Sequence, residues 1–139
     1  MPAEFHILLV EDSRADAILI QEALRQVSAD HSVETVTDGQ RALDRLRGSE
    51  PYPDLVLLDL NLPRKDGREV LAEMKTDDEL KAIPVIVLTT SSAPADVHFA
   101  YANCANSYVR KPLGLDALIE AAAAIRDFWL RTATLPSPG

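Results

Sequence analysis

Asp54-Leu55-Val56-Leu57-Leu58-Asp59-Leu60-Asn61-Leu62-Pro63-Arg64-Lys65-Asp66-Gly67 is the stretch on which the fold turns. Its apolar run, Leu55 to Leu58, has no polar alternation and reads as a strand buried on both faces. The run stops at Asp59, and a polar turn leads to Asp66-Gly67, where the next helix starts. A carboxylate at the end of a buried strand is costly unless a partner or water reaches it. Asp59 is therefore the first place to look for chemistry.

The same grammar repeats on both sides. Upstream, Phe5 to Val10 is apolar except for His6 and ends at Glu11-Asp12. Asp12 or Ser13 can cap a helix in which Ala17, Ile20, Leu24 and Val27 recur at helical spacing. Val33 and Val36 mark a shorter strand, Asp38-Gly39 a turn, and Ala42, Leu43 and Leu46 a short helix ending at Gly48. Downstream, Val70, Leu71 and Met74 predict a helix from Gly67 to about Thr76, and Asp77 to Ile83 reads as a polar connection. Val85 to Leu88 is a fourth strand, closing on Thr89. Pro94 opens a helix with Val97, Ala100, Tyr101 and Cys104 on one face. Ser107 to Arg110 is a fifth strand ending at Lys111-Pro112, and a last helix runs from Leu115 to about Arg131. Five strand–helix repeats with near-continuous apolar strands imply an α/β fold, a doubly wound parallel sheet with five helices. Such a sheet puts its site outside the carboxyl ends of the strands, where the winding reverses.

Composition narrows the function. The chain has 139 residues, enough for one domain with its own core, and its single cysteine, Cys104, excludes an intrachain disulfide. A net charge of −8 argues against nucleic acid, which demands clustered Lys and Arg. No signal peptide is visible, and no apolar run approaches the ~18 residues of a membrane span. The expected location is cytoplasmic, with no membrane partner.

The strand ends share an address. The first delivers Glu11 and Asp12, the third Asp59, the fourth Thr89 and the fifth Lys111. Three carboxylates crowded together repel, so some must protonate or a cation must join them. A hard divalent ion with oxygen ligands answers this, and Mg²⁺ is the usual choice beside a phosphate. Asp59 would then be the attacking oxygen for a phosphoryl group, with Lys111 and the Thr89 hydroxyl holding its other oxygens.

With these residues in view, the chain resembles the receiver domain of two-component response regulators. The resemblance spans about residues 5 to 131 and rests on Glu11-Asp12, Asp59 with Asn61, Pro63 with Asp66-Gly67, Thr89, Tyr108 and Lys111-Pro112. It implies a flavodoxin-like sheet of strand order 2-1-3-4-5, with Asp59 as phosphoacceptor for a sensor histidine kinase. It implies that Asp12, Asp59 and the backbone carbonyl of Asn61 ligate Mg²⁺, with Glu11 acting largely through water. It further implies that Thr89 and Tyr108 form a switch pair altering the surface of the fourth helix, fifth strand and fifth helix, and that Pro112 is cis. Thr90 departs from the alanine common at that position.

The domain reading is a receiver over 1-131 and a tail over 132-139, with no effector domain. Output then requires a contact surface. Leu115, Leu118, Ile119, Ala122, Ile125 and Trp129 form a stripe expected to face the sheet, while Ala117, Ala121, Ala124 and Phe128 lie nearly opposite. With Phe99, and with Trp129 and Leu135 as anchors of the tail, these are the candidate interface of a homodimer. The final segment and Leu88 to Ser91 are similar to single-domain regulators that accompany bacteriophytochrome histidine kinases. Other readings fit the residues less well. A Mg²⁺-dependent aspartyl phosphohydrolase needs an acid/base two residues after its nucleophile, where this chain has Asn61. A phosphate-independent binding module would not need all five site types. The resemblance implies a phosphoacceptor that assists its own phosphotransfer rather than an enzyme.

Overall fold

The computed structural model describes residues 5–28, 30–48 and 51–136. Five parallel strands, β1 (Phe5–Val10), β2 (His31–Val36), β3 (Leu55–Leu58), β4 (Val85–Thr89) and β5 (Ser107–Arg110), form one sheet in the order β2-β1-β3-β4-β5. Between and after them run α1 (Arg14–Val27), α2 (Gly39–Arg47), α3 (Gly67–Thr76), α4 (Pro94–Ala102) and α5 (Leu115–Ile125). No helix among the described residues is long and apolar enough to cross a membrane.

The unbroken apolar strands split between two cores by residue parity, because successive side chains on a strand point to opposite faces. Ile7, Leu9, Leu55, Leu57, Ile86 and Leu88 pack with Ala17, Ile20 and Leu24 of α1 and Leu118, Ala122 and Ile125 of α5. Leu8, Val10, Val56, Leu58, Val85 and Val87 pack on the other face with α2, α3 and Ala100 of α4. The helices change face between β1 and β3, so the winding reverses there, at the carboxyl ends that carry Glu11-Asp12 and Asp59.

Local chemistry sets the helix starts. Ser13, Asp38 and Asp66 are N-caps whose side chains accept from the backbone N–H of Asp16, Arg41 and Arg68. α4 instead begins with Pro94 in its first turn, and α5 follows Gly114, whose φ of 86° suits a residue with no Cβ.

Several expectations need correction. The connection after α3 is not simply polar: Leu80 and Ile83 are buried and close the α2–α3 side of the core. α4 buries only Ala100. Tyr101 is 52% exposed, and Cys104 lies beyond the helix at φ 67°, so the two do not share a buried face with Val97. Phe99 is half-buried, less open than Tyr101. The Lys111–Pro112 bond is trans, not cis. Trans is the lower-energy isomer before proline by about 0.5–1 kcal/mol. The last helix does not stay α-helical to Arg131: Arg126–Thr132 is π-helical, and the Ala133 N–H donates to the Phe128 carbonyl. The inner stripe of α5 behaves as expected, with Trp129 packed partly into the α1–α5 core. On the opposite side Ala117 and Ala121 are half-buried, and Ala124 and Phe128 are exposed. Leu135 is half-buried, and residues 137–139 of the expected tail lie outside the described residues.

Candidate functional site

Asp59 closes β3 and is held from three sides. Its backbone N–H donates to the Val10 carbonyl at 3.1 Å, extending the pairing of β3 with β1 past the end of the strand. The Thr89 hydroxyl donates to Asp59 Oδ1 at 2.8 Å, and the Asn61 N–H donates to the same oxygen at 3.2 Å. Lys111 Nζ lies 3.2 Å from the other oxygen, Oδ2. Both lone-pair sets of the carboxylate thus face donors, and Asp59 is nonetheless only 6% exposed.

The neighbouring acids follow from β1. Glu11 is buried, Asp12 is exposed, and one carboxylate oxygen from each of Glu11, Asp12 and Asp59 lies within 4.8 Å of the others. Burial pushes the Glu11 carboxyl up to about 7; the Lys111 ammonium and the Ser13 N–H pull against it, and the Asp59 charge adds to the rise. For Glu11, burial therefore outweighs the ammonium beside it. Burial alone would pull the Lys111 ammonium down, but contact with Glu11, the charge of Asp59 and contact with Asp16 hold it above the ordinary lysine range. Lys111 is thus a firmly charged cation serving more anions than it can neutralise. That chemistry suits a further cation or an incoming group that brings one with it.

The structure brings Glu11, Asp12, Asp59, Asn61, Thr89 and Lys111 to one edge of the sheet. Tyr108 stands apart, half-buried against the α2–α3 core, with its hydroxyl donating to the Ser91 carbonyl at 2.8 Å. That carbonyl belongs to the loop after Thr89. Ser91 Oγ also donates to Asp96 at 2.6 Å, and Asp96 pairs with Arg68 of α3 at 2.8 Å, so the loop is tied to two helices.

Two contributors escaped the sequence reading. Asp16 in the first turn of α1 meets Lys111 Nζ at 3.1 Å. The Ser13-x-x-Asp16 spacing was visible, but it reads as a helix cap. Gly67 is the second. A Cβ there would stand 2.1 Å from the Asp59 carbonyl oxygen and 2.6 Å from Leu60 Cα. Gly67 therefore lets α3 start directly against the backbone that carries Asp59, and its N–H donates to the Leu60 carbonyl at 2.9 Å.

Known proteins share this fold over nearly the whole chain. The response regulator receiver domain profile matches residues 7–123. Response regulator Rcp1 of Synechocystis sp. is 48% identical over 136 residues, covering 94% of this chain and 92% of its own. The crystal structure of the phosphorylated cyanobacterial phytochrome response regulator RcpA is similar at TM-score 0.91 and 50% identity, over 97% of this chain and 100% of that one. The Mn²⁺-bound form of response regulator Rcp1 is similar at TM-score 0.88 and 47% identity, over 96% and 99% of the two chains.

Proposed function

The chain belongs to the response regulator receiver family, and from that premise we propose that Asp59 is its phosphoacceptor, taking a phosphoryl group from the histidine of a sensor kinase. The observation that carries this is the convergence of Lys111 Nζ, Thr89 Oγ1 and the Asn61 N–H on the Asp59 carboxylate, with Glu11 and Asp12 beside it. A carboxylate oxygen of Asp59 attacks phosphorus as the bond from phosphorus to the imidazole nitrogen breaks, and the imidazole leaves. Alignment and charge stabilisation are most of what such a transfer demands. Lys111 supplies a fixed positive charge. The Thr89 hydroxyl, now on Asp59 Oδ1, turns to a phosphoryl oxygen.

The residues fit a divalent cation: Glu11, Asp12, Asp59 and the Asn61 carbonyl are hard oxygen donors, and the three carboxylates converge where Lys111 supplies a single positive charge. When bound, Mg²⁺ neutralises phosphoryl oxygens. Mg²⁺ alone stabilises the fold, by about 1.4 kcal/mol at ten times its dissociation constant. Thermal unfolding with and without MgCl₂ reads this as a rise of about 3–6 °C in Tm, which Asp12→Ala abolishes.

The Thr89–Tyr108 pair is the switch. Movement of Thr89 toward the phosphoryl group displaces the loop whose Ser91 carbonyl holds the Tyr108 hydroxyl, and so alters the α4-β5-α5 surface. The likeness to RcpA supports a phytochrome-type histidine kinase as the phosphodonor. The protein acts as a homodimer through the exposed side of α5 and the π-helical segment after it, where Phe128 is 53% exposed and stacks edge-on to Trp129 at 5.1 Å. Light scattering gives a dimer mass for the wild type and a monomer mass for Phe128→Arg; a wild-type monomer overturns this arrangement. The phosphoacceptor reading is tested by incubation with Mg²⁺ and acetyl phosphate. Intact mass rises by about 80 Da, one phosphoryl group.

A further inference from the structure

Lys111 Nζ lies among three carboxylates: Glu11, Asp16 at 3.1 Å and Asp59 at 3.2 Å. The proposed reaction employs Glu11 and Asp59 and leaves Asp16 without a task. Ser13-Arg14-Ala15-Asp16 has the spacing of a capping box, in which the acid three residues into the helix returns to the N-cap N–H. Here that donor is taken. The Ser13 N–H donates to Glu11 Oε2 at 3.1 Å. The other half of the box is intact, since Ser13 Oγ accepts from the Asp16 N–H at 3.2 Å. The backbone of Asp16 is therefore fixed, while its carboxylate is released to reach an ammonium 95 residues away in sequence.

An ammonium has three N–H donors and no acceptor, on a flexible four-carbon stem with no planar fork to orient it. Glu11 comes from the end of β1, Asp59 from the end of β3 and Asp16 from α1, so three separate elements surround Lys111 Nζ. We propose that Asp16 is a positioning residue for phosphoryl acceptance: it takes one N–H donor of Lys111 while Glu11 pairs with the ammonium charge, and together they aim a second N–H at Asp59 Oδ2. Held by Glu11 alone, the ammonium would swing about a single contact. The anchor on α1 prevents this. Asp16 is 41% exposed at its side chain, so the contact adds little to stability, and its effect falls on the reaction.

The inference rests on Asp59 being the phosphoacceptor, and the test separates the two. Wild type, Asp16→Ala, Asp16→Asn and Asp59→Asn are incubated with Mg²⁺ and varied acetyl phosphate, and the adduct is followed by intact mass. Asp16→Ala lowers the maximal rate about tenfold, while the half-saturating donor concentration moves less than about twofold. Asp16→Asn keeps an oxygen acceptor for the ammonium and recovers most of the rate. Mg²⁺ affinity, read from Tm titrations without donor, stays within about threefold in both variants, because the cation's carboxylates are untouched. An Asp16→Ala protein with the wild-type maximal rate overturns the inference. So does equal behaviour of Ala and Asn expressed only in the half-saturating concentration, which is a field effect on an anionic donor. A wild type that takes no adduct, or an Asp59→Asn that does, sinks the phosphoacceptor reading itself, and the role of Asp16 with it.

Discussion

Asp59→Asn takes up no phosphoryl group from acetyl phosphate and Mg²⁺, and it stays folded. The amide oxygen retains the hydrogen bonds from the Thr89 hydroxyl and the Asn61 N–H on the Oδ1 side, so the carbonyl end of the side chain stays in register. On the other side an NH₂ replaces Oδ2 and meets the Lys111 ammonium, donor against donor. Lys111 keeps Glu11 and Asp16, so its charge is not stranded. Loss of one acid from a crowded set offsets the lost ion pair, and stability changes by no more than about 1 kcal/mol. The chemistry has no such compensation. An amide is a far weaker nucleophile than a carboxylate, and losing the nucleophile costs a rate factor of at least about 1,000. Intact mass beside urea unfolding measures both halves. Wild-type labelling of the variant would move the acceptor to another carboxylate of the cluster, with Asp12 the first to examine.

Gly67→Ala loses stability where helix propensity alone forecasts a gain. Alanine at a helical position ordinarily improves on glycine by about 1 kcal/mol. At Gly67 the added Cβ would stand 2.1 Å from the Asp59 carbonyl oxygen and 2.6 Å from Leu60 Cα, both backbone atoms that cannot rotate away. α3 must retreat from β3, and its buried Val70, Leu71 and Met74 retreat with it. We expect a net loss of about 3 kcal/mol or more, of the size seen for overpacking and lost core contacts. Tm then falls by about 10 °C, and phosphoryl uptake falls too, because the displaced backbone carries Asp59 and Asn61. Gly48→Ala is the control. Its nearest approaches are 3.3 and 3.4 Å, to carbonyls within its own α2 turn, and Tm should move by no more than a few degrees. A Gly67→Ala protein as stable as the wild type would show that α3 has room that the backbone distances deny.

The central strands were legible because burial on both faces leaves no choice of residue type. Leu55 to Leu58 and Val85 to Leu88 can be little else, and their ends therefore pointed to Asp59 and Thr89. α4 was harder to read. Its sequence is apolar on several sides, so spacing grouped Val97, Tyr101 and Cys104 together, although the helix buries only Ala100. The end of α5 was missed for a related reason: the stripe ending at Trp129 is compatible with an α-helix, and the π-helical widening over Arg126–Thr132 leaves no mark in spacing.

Sequence by itself determined the strand–helix alternation, the acids and cation at the strand ends, and hence the family and its chemistry. These follow from residue type and near-neighbour spacing, which a linear chain records directly. Only the tertiary structure decided that Asp16 leaves its capping box for Lys111, that Gly67 is a site of close backbone approach, and that the Tyr108 hydroxyl rests on the Ser91 carbonyl. Each joins groups from different elements, and which groups meet is fixed by how the strand ends and the helix starts pack together. A capping spacing and a turn glycine look the same in one dimension whether or not they serve a site.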